Sequence, residues 1–167
     1  LGVLETGHTN GVRFIHGRMR VGEAMAPPLI RAVRREARNQ GLILIDAPPG
    51  TSCPVIAAMK DTDFVLLVTE PTPFGLHDLA LAVAAVKILD IPMGLVVNRC
   101  DMGDDAVLRF ARRENLPILM EIPFDRQIAR SYSRGELVAQ AIPEWKARFR
   151  ELLQRIKKQT GKGAAER

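Results

Sequence analysis

The sequence is poor in cysteine and in aromatic residues: two cysteines, one tryptophan, one tyrosine and six phenylalanines in 167 residues. Cys53 and Cys100 stand far apart and form no Cys-x-x-Cys pair. That favours reduced thiols in a cytoplasmic protein over a disulfide framework or a cysteine metal cage. No apolar run approaches the roughly 20 residues of a membrane-spanning helix. No signal peptide is visible, and a start at Leu1 rather than Met leaves room for residues before it. The pattern G-x-x-x-x-G-K-S/T occurs nowhere, so no loop of this sequence cradles β- and γ-phosphates or supplies the lysine such loops use. Thr160-Gly-Lys-Gly163 is a superficial echo with no strand before it.

What is present is an ordinary apolar fraction of 47% and a net charge of +5. The length suits one domain with a substantial core, or part of a larger fold. The positive charge is compatible with acidic ligands, nucleic acid or anionic lipid and selects none of them.

The stretch Gly41 to Thr51, Gly-Leu-Ile-Leu-Ile-Asp-Ala-Pro-Pro-Gly-Thr, organises the rest. The apolar run Leu42 to Ile45 predicts a strand buried on both faces. Ala47 to Gly50 cannot continue it, because each proline fixes φ and lacks an N–H, while Gly50 permits angles closed to other residues. Asp46 is therefore expected where a central strand leaves the sheet, the edge at which open α/β sheets bind ligands. A carboxylate there suits Mg²⁺ carrying phosphates, or serves as a turn former or helix cap.

Before it, Val3 to Thr6 and Val12 to His16 flank a polar turn containing Asn10-Gly11, which predicts an antiparallel ribbon over residues 1–20. His8 and His16 read as solvated, with no metal-type residue at ligand spacing. Pro27-Pro28 opens a helix expected over Leu29 to Asn39, apolar at Leu29, Ile30, Val33 and Ala37, with Arg31, Arg34, Arg35 and Arg38 on a solvated face. No aromatics interleave with those arginines to stack on bases.

After Thr51 the pattern alternates: helix Cys53 to Met59, strand Phe64 to Thr69, helix Leu76 to Leu89, strand Gly94 to Asn98, helix Asp104 to Glu114, strand Ile118 to Ile122. Such alternation predicts parallel βαβ units with right-handed crossovers. The fold class is therefore α/β, a three-layer sandwich with a mostly parallel sheet over residues 21–159. A last helix, Pro143 to Gln159, carries Trp145, Phe149, Leu152, Leu153 and Ile156 at helical spacing and packs on the sheet, with a membrane-surface role as the alternative. Residues 160–167 read as a frayed tail.

Parallel strands end at one edge, so Asp46, Thr69-Glu70, Asn98 and Glu121 to Pro123 are expected on one rim. Asn98 can donate to and accept from a purine edge, and Asp101 can receive an exocyclic or ribose donor; each is also ordinary turn chemistry. Glu121 to Asp125 can wall a flat base through its backbone, Pro123 and Phe124, or form a plain strand-to-helix turn. Glu70 and His77 are not required by their spacing to act as an acid–base pair; His77 and Asp78 read as helix-start residues.

Several segments together resemble the C-terminal half of the MinD/ParA/Mrp-type (deviant Walker) P-loop ATPases, closest to the subgroup with an inserted ferredoxin-like iron–sulfur domain. They are Val21-Gly-Glu with Pro27-Pro-Leu-Ile30, Ile45-Asp-Ala-Pro-Pro-Gly-Thr-Ser-Cys53, and Val68-Thr-Glu-Pro-Thr-Pro-Phe-Gly-Leu-His-Asp-Leu79. Val97-Asn-Arg-Cys-Asp101 and Glu121-Ile-Pro-Phe-Asp125, with Ala129 and Gly135, follow in order. The resemblance implies an ATP- and Mg²⁺-dependent homodimer in which Asp46, as catalytic residue and metal ligand, belongs to the Walker B element. Pro48, Pro49, Gly50 and Thr51 then lie in the nucleotide-sensing switch, and Asn98, Asp101, Pro123, Phe124 and Asp125 frame adenine and ribose. It further implies coupling to an iron–sulfur or redox partner, with a cluster of its own only if the inserted domain is present, and does not favour nucleic acid or membrane as partners. The family's phosphate loop with its lysines, and its four-cysteine motifs, are not among these residues, so hydrolysis is an expectation for the whole protein. A non-catalytic interaction module and a DNA- or membrane-surface partition factor remain as other readings.

Overall fold

A computed structural model describes residues 1–37 and 41–163. The chain divides into two compact units, Leu1–Lys60 and Asp61–Arg167.

In the first unit, β1 (Gly2–Thr9) pairs antiparallel with β2 (Val12–Met19), from Gly2 opposite Met19 to Thr9 opposite Val12. Asn10 and Gly11 close the hairpin with φ of 47° and 78°, the pair of positive values that a two-residue turn matched to strand twist requires. Leu29, buried on α1 (Pro27–Ala37), packs where Gly2 and Gly17 leave room; a Cβ on Gly17 would collide with its side chain. Arg13 pairs with Glu36, tying β2 to α1. Arg34 does not stay on a solvated face as its helical position predicts. Its guanidinium donates to the Ala57 carbonyl at 2.9 Å, near the C-terminal end of α2 (Cys53–Met59), where a cation complements the helix dipole. His16 meets Glu5 at 2.5 Å, so this histidine is paired across the ribbon rather than merely solvated. Of the helix expected to Asn39, the part beyond Ala37 lies outside the described residues, as does Arg38.

The strand expected over Leu42 to Ile45 does not form. These residues are coil and exposed, Leu44 at 86%. An apolar run becomes a strand only when a neighbour completes its hydrogen-bond ladder, and no described strand pairs with it. Pro48 to Thr51 follow as exposed coil, with Gly50 at φ +95°.

The second unit is the predicted α/β alternation. β3 (Val65–Thr69), β4 (Met93–Asn98) and β5 (Ile118–Ile122) form a parallel sheet in the order β3-β4-β5. On one face lie α3 (Pro73–Ile88) and α4 (Ala106–Arg113); their Leu79, Val83, Val107 and Phe110 bury Leu95 and Val97 of β4. Val96 and Met120 point to the opposite face, as strand alternation demands, and meet Trp145 of α7 (Pro143–Gly163). A Cβ at Gly94 would run into the Leu119 side chain. Two short helices, α5 (Arg126–Ser133) and α6 (Val138–Ala141), precede α7 and are not predicted by the apolar pattern.

Helix α7 runs past Gln159 to Gly163, so the tail expected from residue 160 is helical in its first part; 164–167 lie outside the described residues. It does more than cover a face. Arg155 donates to the Leu119 carbonyl at 2.7 Å and Arg148 to the Glu121 carbonyl at 2.8 Å, occupying alternate carbonyls of β5, the outermost strand of this sheet among the described residues.

Candidate functional site

The loop after β3 begins the site. Thr69 is buried and its hydroxyl donates to the Gly75 carbonyl at 2.9 Å, while Thr72 caps α3 by accepting from the Gly75 N–H at 3.0 Å. A Cβ at Gly75 would strike the Glu70 carbonyl, which explains a glycine in the first turn of a helix. Thr69-Glu-Pro-Thr-Pro-Phe-Gly75 is thus a tight strand-to-helix turn that presents Glu70 at the strand end.

The loop after β4 lies beside it. Asn98 is half-buried and its amide donates to Glu70 Oε1 at 3.2 Å; Arg99 Nε stands 3.5 Å from the same oxygen. Arg99 adopts φ +49°, an uncommon conformation for a long side chain, of the kind that costs about 1–3 kcal/mol and concentrates at functional sites. Gly103, φ +117°, presses so close to Pro71 that a Cβ would sit on its carbonyl oxygen, pinning the two loops together.

The loop after β5 completes the rim. The register sets Asn98 opposite Ile122, and the Cys100 N–H donates to the Ile122 carbonyl at 3.0 Å. Asp101 Oδ1 accepts from the Phe124 N–H at 2.7 Å, and the Arg99 guanidinium lies 5.9 Å from the Phe124 ring. Asp125 caps α5, accepting from the Gln127 N–H at 2.6 Å. Pro123 and Phe124 are exposed.

The structure therefore brings Asn98, Asp101, Pro123, Phe124 and Asp125 to one edge of the sheet. Asp101 and Asp125 each spend a carboxylate oxygen on a backbone N–H. Asp46, Pro48, Pro49, Gly50 and Thr51 belong to the other compact unit and are all exposed. Sequence reasoning placed Glu70 on the rim without a role and missed Arg99 and Gly103. The motif spacing alone does not reveal that Glu70 and Asn98 bond.

Cys100 sits half-buried at this rim. Burial chiefly, then the Glu121 and Asp101 carboxylates, push its thiol above the ordinary cysteine range. The protonated thiol is a poor nucleophile, so at pH 8 iodoacetamide is expected to label exposed Cys53 several-fold faster than Cys100. Peptide mass spectrometry over a time course reads the two rates; equal rates would contradict this account.

No protein-family model matches the chain. An uncharacterised protein of Methanocaldococcus jannaschii is 30% identical over 136 residues, 80% of this chain and 47% of that protein. An iron–sulfur cluster carrier protein of Methanococcus maripaludis is 29% identical over 137 residues, 70% of this chain and 47% of its own length. The crystal structure of the cell division ATPase MinD of Pyrococcus furiosus matches with a TM-score of 0.65 at 27% identity, over 80% of this chain and 59% of that one. The chain is related to the MinD/ParA-type P-loop ATPases. This MinD/ParA relative spans about half the length of the curated proteins it matches.

The family implies a magnesium nucleotide. Among the described residues no group of three or more His, Cys, Asp or Glu gathers to hold a metal. A single carboxylate is nonetheless a normal protein contribution to Mg²⁺, whose other ligands are phosphates and water, and Asp46 has no hydrogen-bond or ion-pair partner among the described residues. A nucleotide-borne Mg²⁺ asks for no more protein ligands than one such carboxylate. Cys53 and Cys100, the two thiols of this sequence, lie in different compact units, and no cysteine cluster is gathered among the described residues.

Proposed function

We propose that this chain is the base- and metal-binding portion of a MinD-like ATPase that dimerises when ATP is bound and is coupled to an iron–sulfur or redox partner in the cytoplasm. The observation that carries the reading is the rim on which Asn98 and the Asp101–Phe124 bond bring one strand's end against the next, with Pro123 and Phe124 exposed beside them. Such a rim offers a flat apolar wall and a few fixed polar groups, the composition of a nucleobase pocket. In this reading Asn98 contacts the base edge, and Asp125 and the backbone of Pro123 and Phe124 hold base and ribose. Asp46 anchors the Mg²⁺ water shell, and Pro48 to Thr51 respond to the γ-phosphate. Bound Mg²⁺ neutralises charge on the phosphates.

Calorimetric titration with Mg-ATP tests this, on the 167-residue chain and on the protein expressed from its complete reading frame. Binding is expected in the latter, and Asp46→Ala is expected to lower its Mg²⁺-dependent hydrolysis about a hundredfold, the size of losing a metal's charge stabilisation. Absence of nucleotide binding in the complete protein sinks the proposal. The second reading is an interaction module without catalysis, which keeps the fold but lacks the lysine-bearing loop. It prevails if the complete reading frame also lacks that loop.

A further inference from the structure

Parallel pairing of β3 with β4 sets Thr69 opposite Val97, so the next pair, Glu70 and Asn98, meets just beyond the last rung of the sheet. The bond between them, Nδ2 to Oε1 at 3.2 Å, fixes more than a distance. An ionised carboxylate only accepts hydrogen bonds, so the Asn98 amide must turn its NH₂ toward Glu70. The opposite flip would set oxygen against oxygen. Arg99, 3.5 Å from the same carboxylate oxygen, helps hold Glu70 in place. One face of the amide is thereby used up, and what remains to present outward is the Oδ1 acceptor with the second N–H beside it.

That remainder has a chemical preference. A 6-aminopurine offers a donor at its amino group next to an acceptor at N7, complementary to a carbonyl and an N–H side by side. A 6-oxopurine offers two acceptors there, and the fixed Oδ1 would face one of them. We infer that Glu70 is a positioning residue that sets base discrimination, holding Asn98 in the orientation that accepts adenine nucleotides and rejects guanine nucleotides. The inference rests on the nucleotide-binding reading above.

The test is calorimetric titration of the protein from its complete reading frame with Mg-ATP and, separately, Mg-GTP. Wild type is expected to prefer ATP by about tenfold or more, the value of one well-formed bidentate base contact. Glu70→Ala is expected to bring the ratio close to one, since the freed amide can turn to face either base. Glu70→Asp keeps the charge but shortens the reach, and is expected to lose the preference likewise; it serves if the alanine variant does not fold. Glu70→Gln can accept from the Asn98 NH₂ or donate to its Oδ1, so it no longer fixes the flip and is expected to lose much of the preference while keeping the side chain's size. An unchanged ratio in Glu70→Ala and Glu70→Asp, or an equal loss for both nucleotides, overturns the inference while leaving nucleotide binding intact. Equal affinity of wild type for the two nucleotides overturns it as well. Binding of neither nucleotide by wild type overturns the nucleotide reading itself.

Discussion

Trp145→Ala is expected to lower the unfolding free energy by about 3–5 kcal/mol, the range for truncating a buried large aromatic. Trp145 is only 2% exposed and is packed against Val96 and Met120 on one face of the sheet. Phe149 leans on it with ring centroids 5.8 Å apart, and the Arg148 guanidinium covers it at 4.2 Å. Removing the indole takes away the anchor that seats α7, and with it the purchase of Arg148 and Arg155 on β5. Trp145→Phe should be far milder, within about 1.5 kcal/mol, because most of the apolar volume stays. The indole N–H is buried without a partner among the described residues, so deleting it gives up no hydrogen bond. Urea unfolding followed by far-UV circular dichroism compares the two variants. Equal losses would mean that the ring's polar edge, not its volume, holds the helix.

The second large effect is expected at Gly103. Its φ of +117° lies outside the conformations that residues with a side chain adopt cheaply, and an added Cβ would meet the Pro71 carbonyl oxygen, a backbone atom that cannot swing away. Strain and overpacking together put Gly103→Ala at about 2–4 kcal/mol of destabilisation. The displacement falls on the loop that carries Asn98 to Asp101, so nucleotide affinity should drop at temperatures where the fold still holds. Gly7→Ala, where nothing lies within 4 Å, is the matched control and should stay within about 0.5 kcal/mol. Thermal melts with and without Mg-ATP separate loss of fold from loss of site. A Gly103→Ala variant as stable as wild type would refute the close approach of the two loops.

Much of the second unit was readable from residue order. The segments around Val65–Thr69, Met93–Asn98 and Ile118–Ile122 are short apolar runs bounded by turn residues and separated by helices, and a parallel sheet follows from that alternation. Its rim was readable for the same reason, since parallel strands end together. Helix α5 was not, because Arg126–Ser133 offers little apolar residue beyond Ile128 to reveal a period; the available signal was Asp125 as a cap. The small and charged residues from Thr160 onward read as a frayed tail, yet α7 continues to Gly163. The misreading at Leu42 to Ile45 has a deeper cause. Whether a run is a strand depends on its neighbour, which the run itself does not encode. Likewise the Glu70–Asn98 and Asp101–Phe124 bonds depend on register between strands, and register is not visible in either strand alone.

The arginines of α7 also give the sheet a direction of growth. With Arg148 and Arg155 holding the Glu121 and Leu119 carbonyls, one margin is stoppered, while the outer margin of β3 has no strand beside it among the described residues. A strand approaching the sheet would find open backbone groups beside β3 and two occupied carbonyls beside β5. Charge reversal at the two arginines would free those carbonyls and leave both margins of the sheet open.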